Sequence, residues 1–339
     1  MKGKDMVDLV GTPASWQSIL GRIAKTSQER QLLASDLGVS IITLNRWISG
    51  ESRPQRPHLI RLLQVINQQY RAELVDALKQ DFPDIEGWLK DKAPEQVSPE
   101  FFTEILSIRS TTTDTLRFWN ISEAVLKKGL TLLDPNNFGM ALTICQCMPP
   151  SKDGKIRSLR ERVGKGKPPW ESDLEHLSIF LGMESLAGYS TESGRYASVE
   201  DLNKDTITPA YKTEYEVSAA AHPIWMGGQI AGCLLASSTQ LSYFTQQRIA
   251  LLGTLSDLLS LAFDKSDFYP PGMIEVRLMP SPEEQRPIIT TFRQRVAKVI
   301  INAAREGKHL PNNTAEQLVW QEIEEELLSL ADKPYSEAS

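Results

Sequence analysis

The stretch Leu33–Pro54, "LASDLGVSIITLNRWISGESRP", sets two apolar runs at helical spacing on either side of one glycine. Thr26, with Glu29 three residues on, has the form of a capping box that opens the first helix, which then carries Leu32, Leu33 and Leu37 along one face. Gly38 stands where a left-handed residue ends such a helix, and Ser40 is placed to cap the next, whose inward residues are Leu44, Trp47 and Ile48. A connection of about three residues makes the two helices cross steeply rather than run side by side. The flanks complete a small all-α module. "PASWQSILGRIAK" supplies Trp16, Ile19, Leu20 and Ile23, and "RPHLIRLLQVI" supplies a closing helix with Pro57 near its first turn.

Charge singles out the same module. The chain of 339 residues carries a net −6, yet Leu20 to Arg61 holds seven Lys/Arg against three acids. That window is +4 and leaves −10 for the rest, so a basic head is attached to an acidic body. On the second helix of the pair, Ile41, Ile42, Thr43, Asn45, Arg46 and Ser49 point away from the core, with Ser40 at its start. Asn and Arg pair bidentately with base edges, and isoleucine or threonine methyls fit a thymine methyl. Arg53 and Arg56 follow in a loop suited to phosphates.

Leu33-Ala34, "LGVS", Thr43-Leu44, Arg46-Trp47, Gly50 and Pro54 resemble the phage-repressor-like (XRE) helix-turn-helix family over residues 14–66. The resemblance implies double-stranded DNA as partner and Ser40, Ile41, Ile42, Thr43, Asn45, Arg46, Ser49, Arg53 and Arg56 as the contacting set. The family often has glutamine where Ile41 stands, so the usual polar contact from that position is missing here.

After a helical stretch and a Pro-containing linker (residues 69–98), "SPEFFTEILSIRSTTTDTLRFWNISEAVLKKGLTLLD" has helix-like apolar spacing with a weak spot at Ser110–Thr113, and such a helix can pair with its copy in a second chain. "FGMALTICQCMP" alternates as a strand. "EVSAAAHPIWMGGQIAGCLLASST" reads as a hairpin turning at Gly227-Gly228, and "FTQQRIALLGTLSDLLSLAF" as a helix capped by Thr245. This order, with "FLGMESLAGYSTESGRYASVEDL", resembles a GAF domain over residues 100–265. The resemblance implies an antiparallel sheet with helices on both faces, a dimer formed through terminal helices, and a small-molecule pocket ahead of the hairpin. Trp170, His176, Phe180, Tyr189 and Tyr196 are the candidate ligand-binding residues, against a plainer reading as core or lid. The cysteine-histidine pair that holds bilins and the Asn-Lys-Phe-Asp-Glu signature of cyclic-nucleotide binders are both absent. No cofactor is specified.

Cys145 and Cys147 share one face of their strand, but Cys-x-Cys in a strand lacks the turn of a zinc site. No metal site is expected. Scarce cysteines, no run of about 18 apolar residues and no export signal at the N-terminus point to a cytoplasmic protein without a membrane partner. No catalytic constellation stands out among four scattered histidines, so an enzyme is not expected. Beyond a proline-rich linker, "IITTFRQRVAKVIINAAREGK" is basic on its outer face and "PNNTAEQLVWQEIEEELLSL" acidic, which suits an antiparallel pair or a contact between subunits.

The expected fold is multidomain, α and α+β: a helix-turn-helix module at 1–68, a helical linker at 69–98, a GAF-like sheet at 99–266 and a helical region at 267–339. The expected function is a homodimeric DNA-binding regulator tuned by a small-molecule effector or partner. The alternative is a signalling scaffold in which both parts bind proteins and no DNA is read.

Overall fold

The computed structural model describes residues 15–66, 68–83, 85, 96–174, 179–202, 204 and 215–331. The chain divides into two compact units, Met1–Lys92 and Ala93–Ser339.

The first unit is helical: α1 (Trp16–Ile23), α2 (Ser27–Leu37), α3 (Ile41–Ser49), α4 (Arg56–Val65) and α5 (Gln68–Asp81). Local chemistry sets the boundaries. Thr26 and Glu29 form the reciprocal capping box of α2. Gly38 ends α2 at φ +67°, and Ser40 Oγ accepts from the Thr43 N–H to open α3. Trp16, Ile19, Leu20, Leu44 and Trp47 pack into one core with Leu59 and Leu63. Helix α5, which the sequence assigns to a linker, lies in this same unit, with Leu74, Ala77 and Leu78 in that core. Its far end is tied back where Trp16 Nε1 donates to Asp81 at 2.7 Å.

The second unit opens with α6 (Pro99–Thr111) and α7 (Asp114–Leu133). The sequence reads a long helical pattern here with a weak spot at Ser110–Thr113. The structure breaks it at Thr112–Thr113, where the Ser110 and Thr111 hydroxyls turn back onto the Ser107 carbonyl. A six-stranded antiparallel sheet follows: β1 (Met140–Cys147), β2 (Leu159–Gly166), β3 (Phe180–Leu181), β4 (Ala197–Val199), β5 (Ser218–Met226) and β6 (Gln229–Ser238), in the order β3-β2-β1-β6-β5-β4. Gly227 and Gly228, both at positive φ, make the β5–β6 turn. Helices α7 and α9 (Gln246–Leu259) pack on one face, and α8 (Leu186–Ser193) on the other. Close approach of backbones holds α8 down: a Cβ on Gly188 would lie 1.9 Å from the Gly182 carbonyl oxygen.

After three single 3-10 turns come α10 (Pro282–Ile289), α11 (Phe292–Arg305) and α12 (Asn312–Ala331). Arg295 near the start of α11 pairs with Glu326 near the end of α12 at 2.7 Å, so the two run antiparallel with opposite charges facing. Trp320 of α12 stacks on Phe292 at 3.9 Å and sits beneath the Arg160 guanidinium at 4.2 Å. Gln285 of α10 is 1% exposed. Its side chain accepts from the Phe180 N–H at 2.8 Å and donates to the Phe180 carbonyl at 2.9 Å. The architecture is therefore multidomain, α in the first unit and α+β in the second. Among the described residues no helix is long and apolar enough to cross a membrane.

Candidate functional site

In the first unit α3 carries residues singled out by sequence, and in the second a cavity takes in one of them, Trp170.

In the first, burial of Leu44 and Trp47 orients α3 so that Ile41, Ile42, Asn45, Arg46 and Ser49 face solvent. Ile42 is 66% exposed. Ser40 and Thr43 are joined at the N-terminus of the helix, hydroxyl to hydroxyl at 2.9 Å. Asn45 Oδ1 accepts from Arg30 Nη1 at 3.3 Å. Ser49 donates to the Arg46 carbonyl. Arg46 itself is exposed and makes no ion pair among the described residues. Arg53 reaches Asp81 at 3.6 Å, a loose surface pair. Arg56 opens α4, and its side chain lies outside the described residues. A helix with two isoleucines, an amide and a guanidinium on its free face, and with every inward position apolar, has the chemical range to meet base edges and thymine methyls.

In the second unit a cavity of about 50 Å³ lies between the sheet and α8. Alternation along each strand supplies its floor: Ala141 and Thr143 from β1, Glu161 from β2, Ala219 from β5, Leu235 and Ser237 from β6. Trp170 and Leu174 close it from the segment after β2, Leu181 from β3, and Ser185 to Ala187 from the start of α8. Glu216 stands at the rim and accepts from the Ser237 hydroxyl. Burial pushes the Glu161 carboxyl up to about 7, against the Ile179 N–H that favours its charged form, and the nearby Glu216 charge adds to the rise.

The aromatic candidates divide. Trp170 lines the cavity. Phe180 does not: it sits on the opposite face of β3 from Leu181, 5.8 Å from the Trp320 ring. Tyr189 is 49% exposed on α8. Tyr196, equally exposed, borders a separate open groove with Arg195, His222 and Trp225. His176 lies outside the described residues. The cavity's polar groups, Glu161, Glu216, Thr143, Ser185 and Ser237, escape a reading that looks for aromatics. Their signal is a glutamate at a strand position whose cross-strand partner is the buried Cys145.

Cys145, Cys147 and Cys233 are free thiols, fully buried on the cavity side of the sheet, with Cys145 directly opposite Cys233. Contact with Cys233 and burial push the Cys145 thiol well up, and burial does the same to Cys147. Among the described residues no group of three His, Cys, Asp or Glu side chains is placed to hold a metal ion.

No known family profile and no curated protein matches the chain. Several solved structures are similar in fold. A type II free methionine-R-sulfoxide reductase from Thermoplasma acidophilum is 12% identical, with a TM-score of 0.31 over 42% of this chain and 94% of its own. The GAF domain of a phosphoenolpyruvate-protein phosphotransferase from Acinetobacter is 13% identical, with a TM-score of 0.35 over 49% of this chain and 93% of its own. A red/green cyanobacteriochrome in its red-absorbing state is 15% identical, with a TM-score of 0.32 over 43% of this chain and 92% of its own.

Proposed function

We propose that this chain is a DNA-binding transcriptional regulator, acting as a homodimer, whose GAF-like unit senses a small molecule or partner and tunes operator binding. One observation carries the reading. A capped α2, a left-handed Gly38 and a capped α3 leave Ile41, Ile42, Asn45 and Arg46 on a free face, inside the basic segment of an otherwise acidic chain. In such a module the second helix enters the major groove, and a twofold dimer places two of them about one helical turn apart. Leu106 of α6 and Leu116 and Trp119 of α7 are exposed, which suits pairing with a second copy. An effector acts in this scheme through unequal affinity for two arrangements of the dimer.

The test is a mobility shift of the full chain on genomic fragments across a salt series. Arg46→Ala and Asn45→Ala should each cost about 1–3 kcal/mol of specific binding, whereas Arg53→Ala and Arg56→Ala should each lower the salt slope by about one. If all four bind as the parent does, α3 is not the reading helix. If the parent ignores every duplex even at low ionic strength, the scaffold reading, which the −10 outside the basic window favours, takes its place.

A further inference from the structure

We infer that the open groove between the start of β4 and the end of β5 is a binding site for a planar aromatic carboxylate, its ring laid against Tyr196 and Trp225 and its charge held by Arg195. This rests on the sensor reading of the second unit and names the place and the class of ligand.

Strand pairing opens the groove. β4 meets β5 only where Ala197 pairs with Ala221, Ser198 with Ala220 and Val199 with Ala219. Among the described residues β5 then continues from His222 to Met226 with no strand on that side. The chain enters β4 from Gly194, which ends α8 at φ +65°. Between the two lies a groove of about 500 Å³ lined by Gly194, Arg195, Tyr196, His222, Pro223 and Trp225. Pockets that take small molecules run from about 300 to 1,000 Å³. The cavity beneath α8, at about 50 Å³, has room for about four water-sized centres. Size therefore selects the groove for a ligand of more than a few heavy atoms.

Its walls are rings on a fixed frame. A Cβ on Gly194 would lie 2.9 Å from Cζ2 of Trp225, so the indole rests against that glycine. His222 donates from Nδ1 to the Pro223 carbonyl at 3.0 Å, and its far edge meets α9, where a Cβ on Gly253 would lie 2.9 Å from Nε2. Ser190 pins the Arg195 backbone: its carbonyl accepts from the Arg195 N–H at 3.3 Å and its hydroxyl donates to the Arg195 carbonyl at 2.8 Å. The side chains of Arg195 and Tyr196 stay exposed.

That frame selects by chemistry. Flat π faces favour a flat ring by more than the area they bury. A guanidinium forks onto a carboxylate with two parallel hydrogen bonds and matches its single charge. The same rings would attract a cation, but Arg195 sets a like charge beside them. An extended peptide is the rival occupant, added to β5 as a further strand. Pro223 has no N–H to offer it, and because β6 already pairs on the other side of Pro223, that gap faces the groove.

The experiment uses the full chain at neutral pH, with calorimetric titration and thermal unfolding as readouts. Naphthoate is compared at matched ionic strength with naphthylmethanol, cyclohexanecarboxylate, naphthylmethylammonium, and a strand-forming peptide of alternating valine and threonine. The expected result is binding of naphthoate ahead of all four, with Kd of about 1 mM. Arg195→Gln should weaken it about tenfold and erase its lead over the alcohol. Tyr196→Ala should weaken naphthoate and the alcohol alike, by about three- to tenfold. Both substitutions fall on exposed side chains, and far-UV circular dichroism checks that the variants fold. Equal binding of the alcohol, of cyclohexanecarboxylate or of the ammonium, binding of the peptide instead, or unchanged binding in either folded variant overturns the inference. The readout does not pass through DNA. Naphthoate binding that leaves a mobility shift unaltered would count against the regulator and not against the site. A different metabolite class that alters the shift while naphthoate fails would do the reverse.

Discussion

Replacing Glu324 by glutamine measures what it takes to seat α12 against the sheet. Glu324 is 2% exposed and accepts the hydroxyl hydrogen of Ser158, just ahead of β2. Burial pushes its carboxyl from the ordinary 4.5 up to about 7, the Ser158 hydrogen bond opposes the rise, and the neighbouring Glu325 charge adds to it. Between those values the folded chain keeps a proton that the unfolded chain has released, so folding stability is greatest below pH 4.5 for this group and falls as the pH climbs to 7. At 1.36 kcal/mol per pH unit, the interval corresponds to about 3 kcal/mol. Glutamine keeps the acceptor for Ser158 and cannot ionise, so Glu324→Gln removes the dependence. Urea unfolding at pH 5 and pH 8 reads the outcome: the parent should lose about 2–3 kcal/mol more than the variant between the two. Glu161 titrates in both proteins and cancels from the comparison. Parallel pH curves for parent and variant would show that Glu324 is solvated, and the reasoning would fail.

The buried thiols and the packing of α8 give two further expectations. A thiol-reactive disulfide reagent at pH 8 should label none of Cys145, Cys147 and Cys233 within minutes in the folded chain and all three in denaturant, because burial withholds both access and the thiolate; prompt labelling of the native protein would contradict their placement. Gly188→Ala should cost about 3 kcal/mol or more in denaturant unfolding, since its new Cβ meets the Gly182 carbonyl oxygen at 1.9 Å and that atom is backbone; a loss under about 1 kcal/mol would mean that α8 can lift from the sheet.

What the sequence makes legible here is what neighbouring residues decide. Thr26 with Glu29, Gly38, Ser40, the Gly227-Gly228 turn and the Thr245 cap each act within four residues, and each is found where local chemistry puts it. The cavity depends on pairing across the sheet, which no local pattern carries. In β2, Glu161 pairs with Cys145 and Val163 with Ile144, so Arg162 is the extra residue of a bulge and the faces exchange at that point. A simple alternation read through "LRERVGKG" therefore assigns half of it to the wrong side. Phe180 and Leu181 show the same limit: both are buried apolar neighbours, and only the pairing of Leu181 with Leu159 tells which one faces α8. The packing of α5 into the first bundle likewise turns on tertiary contacts that outweigh its reading as a linker.

The amide of Gln285 carries the same donor and acceptor as a peptide unit, and it meets Phe180 as the backbone of a seventh strand would. An outermost strand ordinarily leaves such groups open to any extended segment that drifts past. Here a helix-borne side chain occupies the vacancy, at a flank only two residues long. Chain-to-chain recruitment along that border is blocked from within, so sheet extension by another molecule would have to begin at β4, on the far side.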